Sequence, residues 1–167
     1  MSVAARDVTV RPATPADIPV LGRLGALLVG AHHDFDPQRF IPATVQTEQG
    51  YGSFLGTQLK EKNAIVLVAE LKGEVVGYAW AKVEGYDYMS LRGPAGVLND
   101  IVVDPAHRGQ GIGRILLDAT LAELKDRGVP RVVLSTAEKN EPAQRLFAGA
   151  GFRQTMIEMT REVGDTD

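Results

Sequence analysis

Residues 107–117 read His-Arg-Gly-Gln-Gly-Ile-Gly-Arg-Ile-Leu-Leu, with three glycines at alternate positions running from an arginine into an apolar segment. Glycine at every second position suits neither helix nor strand, so bare backbone is needed there. A strand that ends in a glycine loop at a helix N-terminus is an anion site, because unpaired amides point outward and the helix dipole favours negative charge. Three ligands compete for such a loop. A nucleoside triphosphate loop requires lysine and then serine or threonine after its last glycine, but Arg114-Ile115 follow Gly113. A dinucleotide fingerprint requires G-x-G-x-x-G tight against its strand, whereas this spacing is G-x-G-x-G and Asp104 to Arg108 intervene. The third candidate is the pyrophosphate of coenzyme A.

The elements that position this loop can be read from periodicity and punctuation. Val8 to Arg11 alternates as a strand. Thr14-Pro15-Ala16-Asp17 is a helix start, and Ile18, Leu21, Leu24 and Leu28 keep helical spacing behind it. From Asp36-Pro37 to Lys62 a weaker helical pattern is interrupted by Pro42, Gly50, Gly52 and Gly56, which predicts an irregular or mobile segment. Ala64–Glu70 and Glu74–Glu84 form a hairpin across Lys72-Gly73, and residues 85–96 form a loop. Val97–Val103 is the strand that feeds the glycine loop. A helix then runs from about Gly111 to Arg127, stopped by Gly128, followed by a strand over Arg131–Thr136. Asn140-Glu141-Pro142 starts a short helix to about Ala150, and Phe152–Thr160 is the last strand. The order β-α-α-β-β-β-α-β-α-β predicts a mixed α/β sheet with helices on its faces.

Composition narrows the function classes. The 167 residues carry a net charge of −3, with hydrophobic residues at 44% and charged residues at 23%. This is ordinary globular composition, and the expectation is one domain over 1–167, structured from about residue 6 to 162, with a short polar tail. The absence of cysteine rules out disulfides and thiolate metal sites, and no metal is expected. The acidic balance offers no nucleic-acid surface. The N-terminus MSVAARDVTV lacks an apolar leader core, and no run reaches membrane-spanning length, so a cytoplasmic chain with no membrane partner is expected.

Arg108-Gly109-Gln110-Gly111-Ile112-Gly113 resembles the Q/R-x-x-G-x-G/A motif of the GNAT superfamily of acetyl-CoA-dependent N-acetyltransferases. LNDIVVDPAH before it resembles that family's fourth strand and Pro-containing turn. NEPAQRLFAGAGF downstream resembles the family's N-x-x-A-x-x-L-Y-x-x-x-G-F segment at the expected distance. Together these cover about residues 97–153. The resemblance implies a mixed (α+β), mostly antiparallel sheet of six to seven strands flanked by about four helices. It implies that backbone groups of Ile101, Val102 and Val103 pair with pantetheine and polarise the thioester. The amides of Gly109, Gln110, Gly111, Ile112 and Gly113, with Arg108 and Arg114, would hold the pyrophosphate. Asn140 would contact pantetheine as well as cap its helix.

Direct acetyl transfer to an amine requires a group to take the amine's proton, a donor for the developing oxyanion and a proton for the thiolate. Many relatives carry glutamate on the fourth strand where this chain has Asn99, with Asp100 beside it. Neighbouring strand residues point to opposite faces, so only one of these should face the acceptor, and Asp100 is the better base. Glu84, at a neighbouring strand end, is a second candidate. His32-His33-Asp34 is read as a polar turn bordering the acceptor site, where a histidine could take a proton near neutral pH. Where the family often has tyrosine as thiolate acid stands Phe147, which has no titratable proton. Water, Tyr51, Tyr86, Tyr88 or simple thiolate release would then serve, with Phe147 packing on pantetheine.

The expected activity is transfer of acetyl from acetyl-CoA to a primary amine of a small cationic molecule. The acceptor loops carry Asp34, Asp36, Glu48, Glu84 and Asp87 against Arg39 and Arg92, a carboxylate excess that attracts a protonated amine. Acetylation of a protein's N-terminal α-amine and a non-catalytic acyl-CoA sensor are the alternatives, and a homodimer is an open arrangement.

Overall fold

The computed structural model describes residues 3–164. After a one-turn helix α1 (Val3–Arg6), β1 (Val8–Pro12) leads through a short 3-10 turn into α2 (Ile18–Phe35) and then α3 (Thr47–Gln58). The hairpin β2 (Ala64–Leu71) and β3 (Glu74–Glu84) precedes β4 (Ala95–Val103), followed by α4 (Ile112–Asp126), β5 (Val132–Leu134) and α5 (Glu141–Gly149). One sheet has the order β1-β2-β3-β4-β5, antiparallel throughout except for the parallel β4–β5 pair. Lys72 and Gly73 both take positive φ at the hairpin, the backbone twist a two-residue turn between antiparallel strands prefers.

The strand period divides the core between two faces. On β2, Ile65, Leu67, Ala69 and Leu71 join Leu116, Leu117 and Leu124 of α4 and Phe147 of α5. Val66 and Val68 point the other way and join Leu21, Leu24 and Leu55 of α2 and α3 with Tyr78. The sheet is thus apolar on both faces, and β4 carries the buried carboxyl of Asp100.

The mixed sheet flanked by helices is as expected, but it has five strands instead of six to seven. Residues 152–160 form no ladder, and Arg131–Thr136 contracts to three paired residues. The segment expected to be irregular contains a regular twelve-residue helix, α3. Its glycines serve packing: a Cβ on Gly22 of α2 would lie 2.3 Å from the Glu48 carbonyl oxygen and 3.2 Å from Gly52 Cα. The helices approach so closely that the propensity cost of each glycine is offset by the contact. His32, His33 and Asp34 belong to the last turn of α2, not to a turn between helices. The end of the expected polar tail, residues 165–167, lies outside the described residues.

Candidate functional site

β4 and β5 pair only over Gly96–Leu98 and Val132–Leu134, and beyond that point they diverge. In the β3–β4 register Trp80 faces Asp100 whereas Ala81 faces Leu98, so Asn99 is an extra residue, a β-bulge. The bulge has a consequence for the backbone. Gly96 N–H donates to Arg131 across the β5 side, while Asp104 N–H donates to Val76 across the β3 side. Both numbers are even, so the alternation has been reset between them. Past the bulge, the main-chain groups of Ile101 and Val103 therefore face the split, while those of Asp100 and Val102 face β3.

The split opens into a cleft of about 250 Å³. Its walls are Leu28, Val29 and His32 of α2, Phe40 and Ile41 after it, Leu98 to Ile101 of β4, Leu134 to Thr136, and Asn140, Ala143 and Phe147 of α5. Asn99 and Asp100 both border it, contrary to the expectation that only one could. The bulge breaks the strict alternation on which that expectation rested.

Asp100 is 7% exposed. Its Oδ2 accepts two phenol hydrogen bonds, from Tyr51 of α3 at 2.6 Å and from Tyr78 of β3 at 2.8 Å. Burial pushes the carboxyl above its ordinary range, and the two phenols oppose that shift by favouring the ionised form. Burial and the neighbouring carboxylate push both phenols up, so they are donors here and not acids. Tyr51 reaches Asp100 because α2 has no side chain in its path: a Cβ on Gly25 would lie 2.1 Å from the tyrosine ring. Sequence reading named Tyr51 as an alternative acid and as a flat face for the acceptor, not as a partner of Asp100, and missed Tyr78. The one available signal was a tyrosine in the apolar centre of a strand, where a buried hydroxyl demands a partner.

His32 lines the same cleft, and its Nδ1 lies 2.9 Å from the Leu28 carbonyl oxygen. A carbonyl only accepts, so Nδ1 is the donor in this contact and Nε2 is the ring nitrogen it leaves free of that bond. Glu84 stands apart from the cleft walls, where Arg92 binds it at 2.8 Å and also lies 3.6 Å from Asp87. Tyr86 and Tyr88 are exposed on the loop after β3.

At the N-terminus of α4, Gly109 and Gly111 take φ of +76° and +81°, and no side chain caps the helix. The first-turn amides of Ile112, Gly113 and Arg114 precede the first intrahelical bond, from Ile115 N–H to Gly111. Gln110 and Ile112 flank the second of these glycines, with Ile112 buried in the core. Arg108 and Arg114 are exposed beside them, the first donating to the Val103 carbonyl at 3.2 Å, the second paired with Asp118. Asp104, at the exit of β4, is bound by Arg23 of α2 at 2.8 Å. Asn140 accepts from Ala143 N–H as the cap of α5, and Phe147 lies 7% exposed against Phe152. Among the described residues no cluster of three metal-ligating side chains occurs, and no helix is long and apolar enough to cross a membrane.

Comparison with known proteins agrees with this geometry. Mycothiol acetyltransferase from Thermobispora bispora is 40% identical over 55% of this chain, matching 31% of its own length. Mycothiol acetyltransferase from Cellulomonas flavigena is 30% identical over 93% of this chain and 47% of its own. The chain thus spans less than half the length of these curated relatives. Among solved structures, a Bacillus halodurans protein superposes with a TM-score of 0.81 at 21% identity, covering 93% of this chain and 99% of that one. An aminoglycoside acetyltransferase from an uncultured soil metagenomic sample, in complex with sisomicin, gives 0.66 at 20% identity, covering 96% and 99%. At these identities the structures speak for the fold alone. The family model of the acetyltransferase (GNAT) family matches residues 31–152, most of the chain and all of the cleft walls except Leu28 and Val29, so the chain belongs to the GNAT acetyltransferase family.

Proposed function

We propose that the chain transfers the acetyl group of acetyl-CoA to a primary amine of a small cationic molecule. The observation that carries this reading is the buried Asp100 carboxylate, held by two phenols in a cleft at the split between β4 and β5. The residues fit the co-substrate. Uncapped amides of Ile112, Gly113 and Arg114, with the left-handed Gly109 and Gly111, suit a pyrophosphate, and the exposed Arg108 and Arg114 add charge. Main-chain groups of Ile101 and Val103 suit the amides of a pantetheine arm, which would lie in the split as a guest strand. Asn140 and Phe147 border its inner end.

When bound, acetyl-CoA supplies the thioester carbon that the amine nitrogen attacks, the C–N bond forming as the C–S bond breaks. An ammonium has no lone pair, so the acceptor must first surrender a proton. Asp100 takes it: Tyr51 and Tyr78 occupy Oδ2, leaving Oδ1 for the amine, directly or through water. A carboxylate whose pKa is raised by burial is a stronger base than one in water, and the two phenol hydrogen bonds favour its ionised form. His32 shares the cleft and offers Nε2 as the next station for that proton. With Phe147 in the usual acid's place, the departing sulfur takes its proton from water.

The preference for a small cation is supported by the cleft's volume and by Asp34, Asp36 and Glu48, which flank in sequence the Phe40 and Ile41 of its wall. Arg92 binds both Glu84 and Asp87 and offsets one of their two charges. The name of the curated relatives, mycothiol acetyltransferase, supports a small-molecule acceptor. The test is turnover of acetyl-CoA with polyamines, aminoglycosides, amino sugars and short N-terminal peptides supplied in turn. Small cationic amines should be preferred, the preference weakening with added salt. Preference for a neutral or acidic peptide would move the chain to protein N-terminal acetylation, and binding without turnover would make it an acyl-CoA sensor.

A further inference from the structure

The cleft holds one acid and surrounds it with apolar surface. Among the described residues on its walls, Asp100 is the single carboxylate, and neither lysine nor arginine joins it. Apart from His32, the other polar side chains there are neutral amides and hydroxyls, those of Asn99, Ser135, Thr136 and Asn140. The acids near the wall in sequence stay off it. Asp36 Oδ1 accepts from the amides of Gln38 and Arg39 at 3.1 and 3.2 Å, and Asp34 and Glu48 are exposed. Such charges raise the local concentration of a cation, but they do not line the place where it must sit.

The apolar wall is built in advance. Phe40 donates its N–H to the Asp36 carbonyl at 3.0 Å, and its own carbonyl accepts from His33 Nδ1 at 2.9 Å. The Arg39 guanidinium lies 4.7 Å from the centre of its ring, and the His32 ring meets it edge-on at 5.1 Å. Four contacts thus hold Phe40 where it is, with Leu28, Val29 and Ile41 completing this side. Ile41 lines the cleft yet is 75% exposed, which puts it at the mouth. A first ammonium entering here meets Asp100. A second one on the same small molecule would give up its water to neutral groups, and a desolvated charge without a counter-charge is unfavourable. A hydrocarbon or aromatic body removes its own surface and that of Phe40 and Leu28 from water. The space of about 250 Å³ is also below the ~300–1,000 Å³ of a drug-sized site, so the body must be small. We propose that the cleft takes as acceptor a monoamine, one ammonium on a small apolar or aromatic body, and that Phe40 and Ile41 select it over polycations. This rests on the acetyl-transfer reading, because it takes Asp100 as the group that the amine addresses.

The test is a set of initial rates with acetyl-CoA and phenethylamine, butylamine or putrescine, the last two sharing one carbon chain and differing by one ammonium. kcat/KM should fall in that order, by about tenfold or more across the series. Putrescine equal to or better than butylamine, or phenethylamine no better than butylamine, would overturn the proposal and leave acetyl transfer standing. Ile41→Glu sets a second carboxylate at the mouth, at an exposed position that spares the core. The KM for putrescine should then fall and that for phenethylamine rise, whereas an equal change for all three amines would overturn selection at this wall. If no amine is acetylated, the acetyl-transfer reading fails by itself. The preference of the cleft is then read from the rise in melting temperature that each amine adds in saturating coenzyme A. The same order supports the monoamine site, and any other order, or no rise at all, overturns it.

Discussion

Asp100 carries two opposed demands, since burial resists its charge while Tyr51 and Tyr78 support it. Asp100→Asn removes the proton acceptor but keeps an oxygen for both phenols. Steady-state turnover should fall by about 10²- to 10⁴-fold, with coenzyme A still raising the melting temperature. Stability should move differently. A carboxyl whose folded-state pKa is raised binds its proton more tightly when folded, so its contribution is fully present below the unfolded pKa and is lost as pH rises through the folded one. Melting curves of wild type should therefore lose ground to Asp100→Asn from acid toward neutral pH, the variant being the equal or better folded protein at pH 7. Tyr51→Phe and Tyr78→Phe each delete a bond that favours the ionised form, so the acid limb of the rate profile should move to higher pH. An unmoved limb would assign the base to another group, with His32 next in line. Asp100 drew attention in the sequence because it stands beside Asn99, where many relatives carry glutamate on the fourth strand, and the structure places it on the cleft wall. Its clamp was not legible there, since Tyr51 and Tyr78 lie 49 and 22 residues away and meet it only through tertiary packing.

At the scale of elements, the glycines explain both what sequence reading found and what it missed. Gly109 and Gly111 announce themselves by spacing, and their positive φ agrees with the anion loop expected there. Gly22, Gly25 and Gly52 carry no such local signature. Read by propensity they weaken helices, whereas in the fold they let α2 and α3 touch. Gly25→Ala should thus do two things at once. It should lower stability by about 1–3 kcal/mol through overpacking, measured by urea titration, and it should displace Tyr51 and so reproduce the pH shift of Tyr51→Phe. Gly111→Val places a β-branched residue at φ +81° and should abolish the rise in melting temperature caused by coenzyme A. The last strand was misread for a different reason. Its alternation is genuine, but alternation states a capacity to pair and does not name the edge that receives it.

For the molecule as a whole, any ligand that binds only the folded state raises its stability, so coenzyme A should raise the melting temperature where ATP and NAD do not. Two regions would share that ligand, the turn before α4 and the split between β4 and β5, and Arg23 to Asp104 ties the acceptor-side helix to the chain joining them. The one-residue bulge at Asn99 leaves a trace that needs no substrate to see. Within four consecutive residues it sets two different clocks for amide hydrogen exchange. Asp100 and Val102 face β3, so their amide protons should be replaced by deuterium only when the sheet opens. Ile101 and Val103 face the split, so theirs should be replaced orders of magnitude sooner. Adding coenzyme A should slow the odd-numbered pair and leave the even-numbered pair as it was. A strand of this protein would then record, residue by residue in an NMR spectrum, which of its edges is fold and which is kept for a visitor.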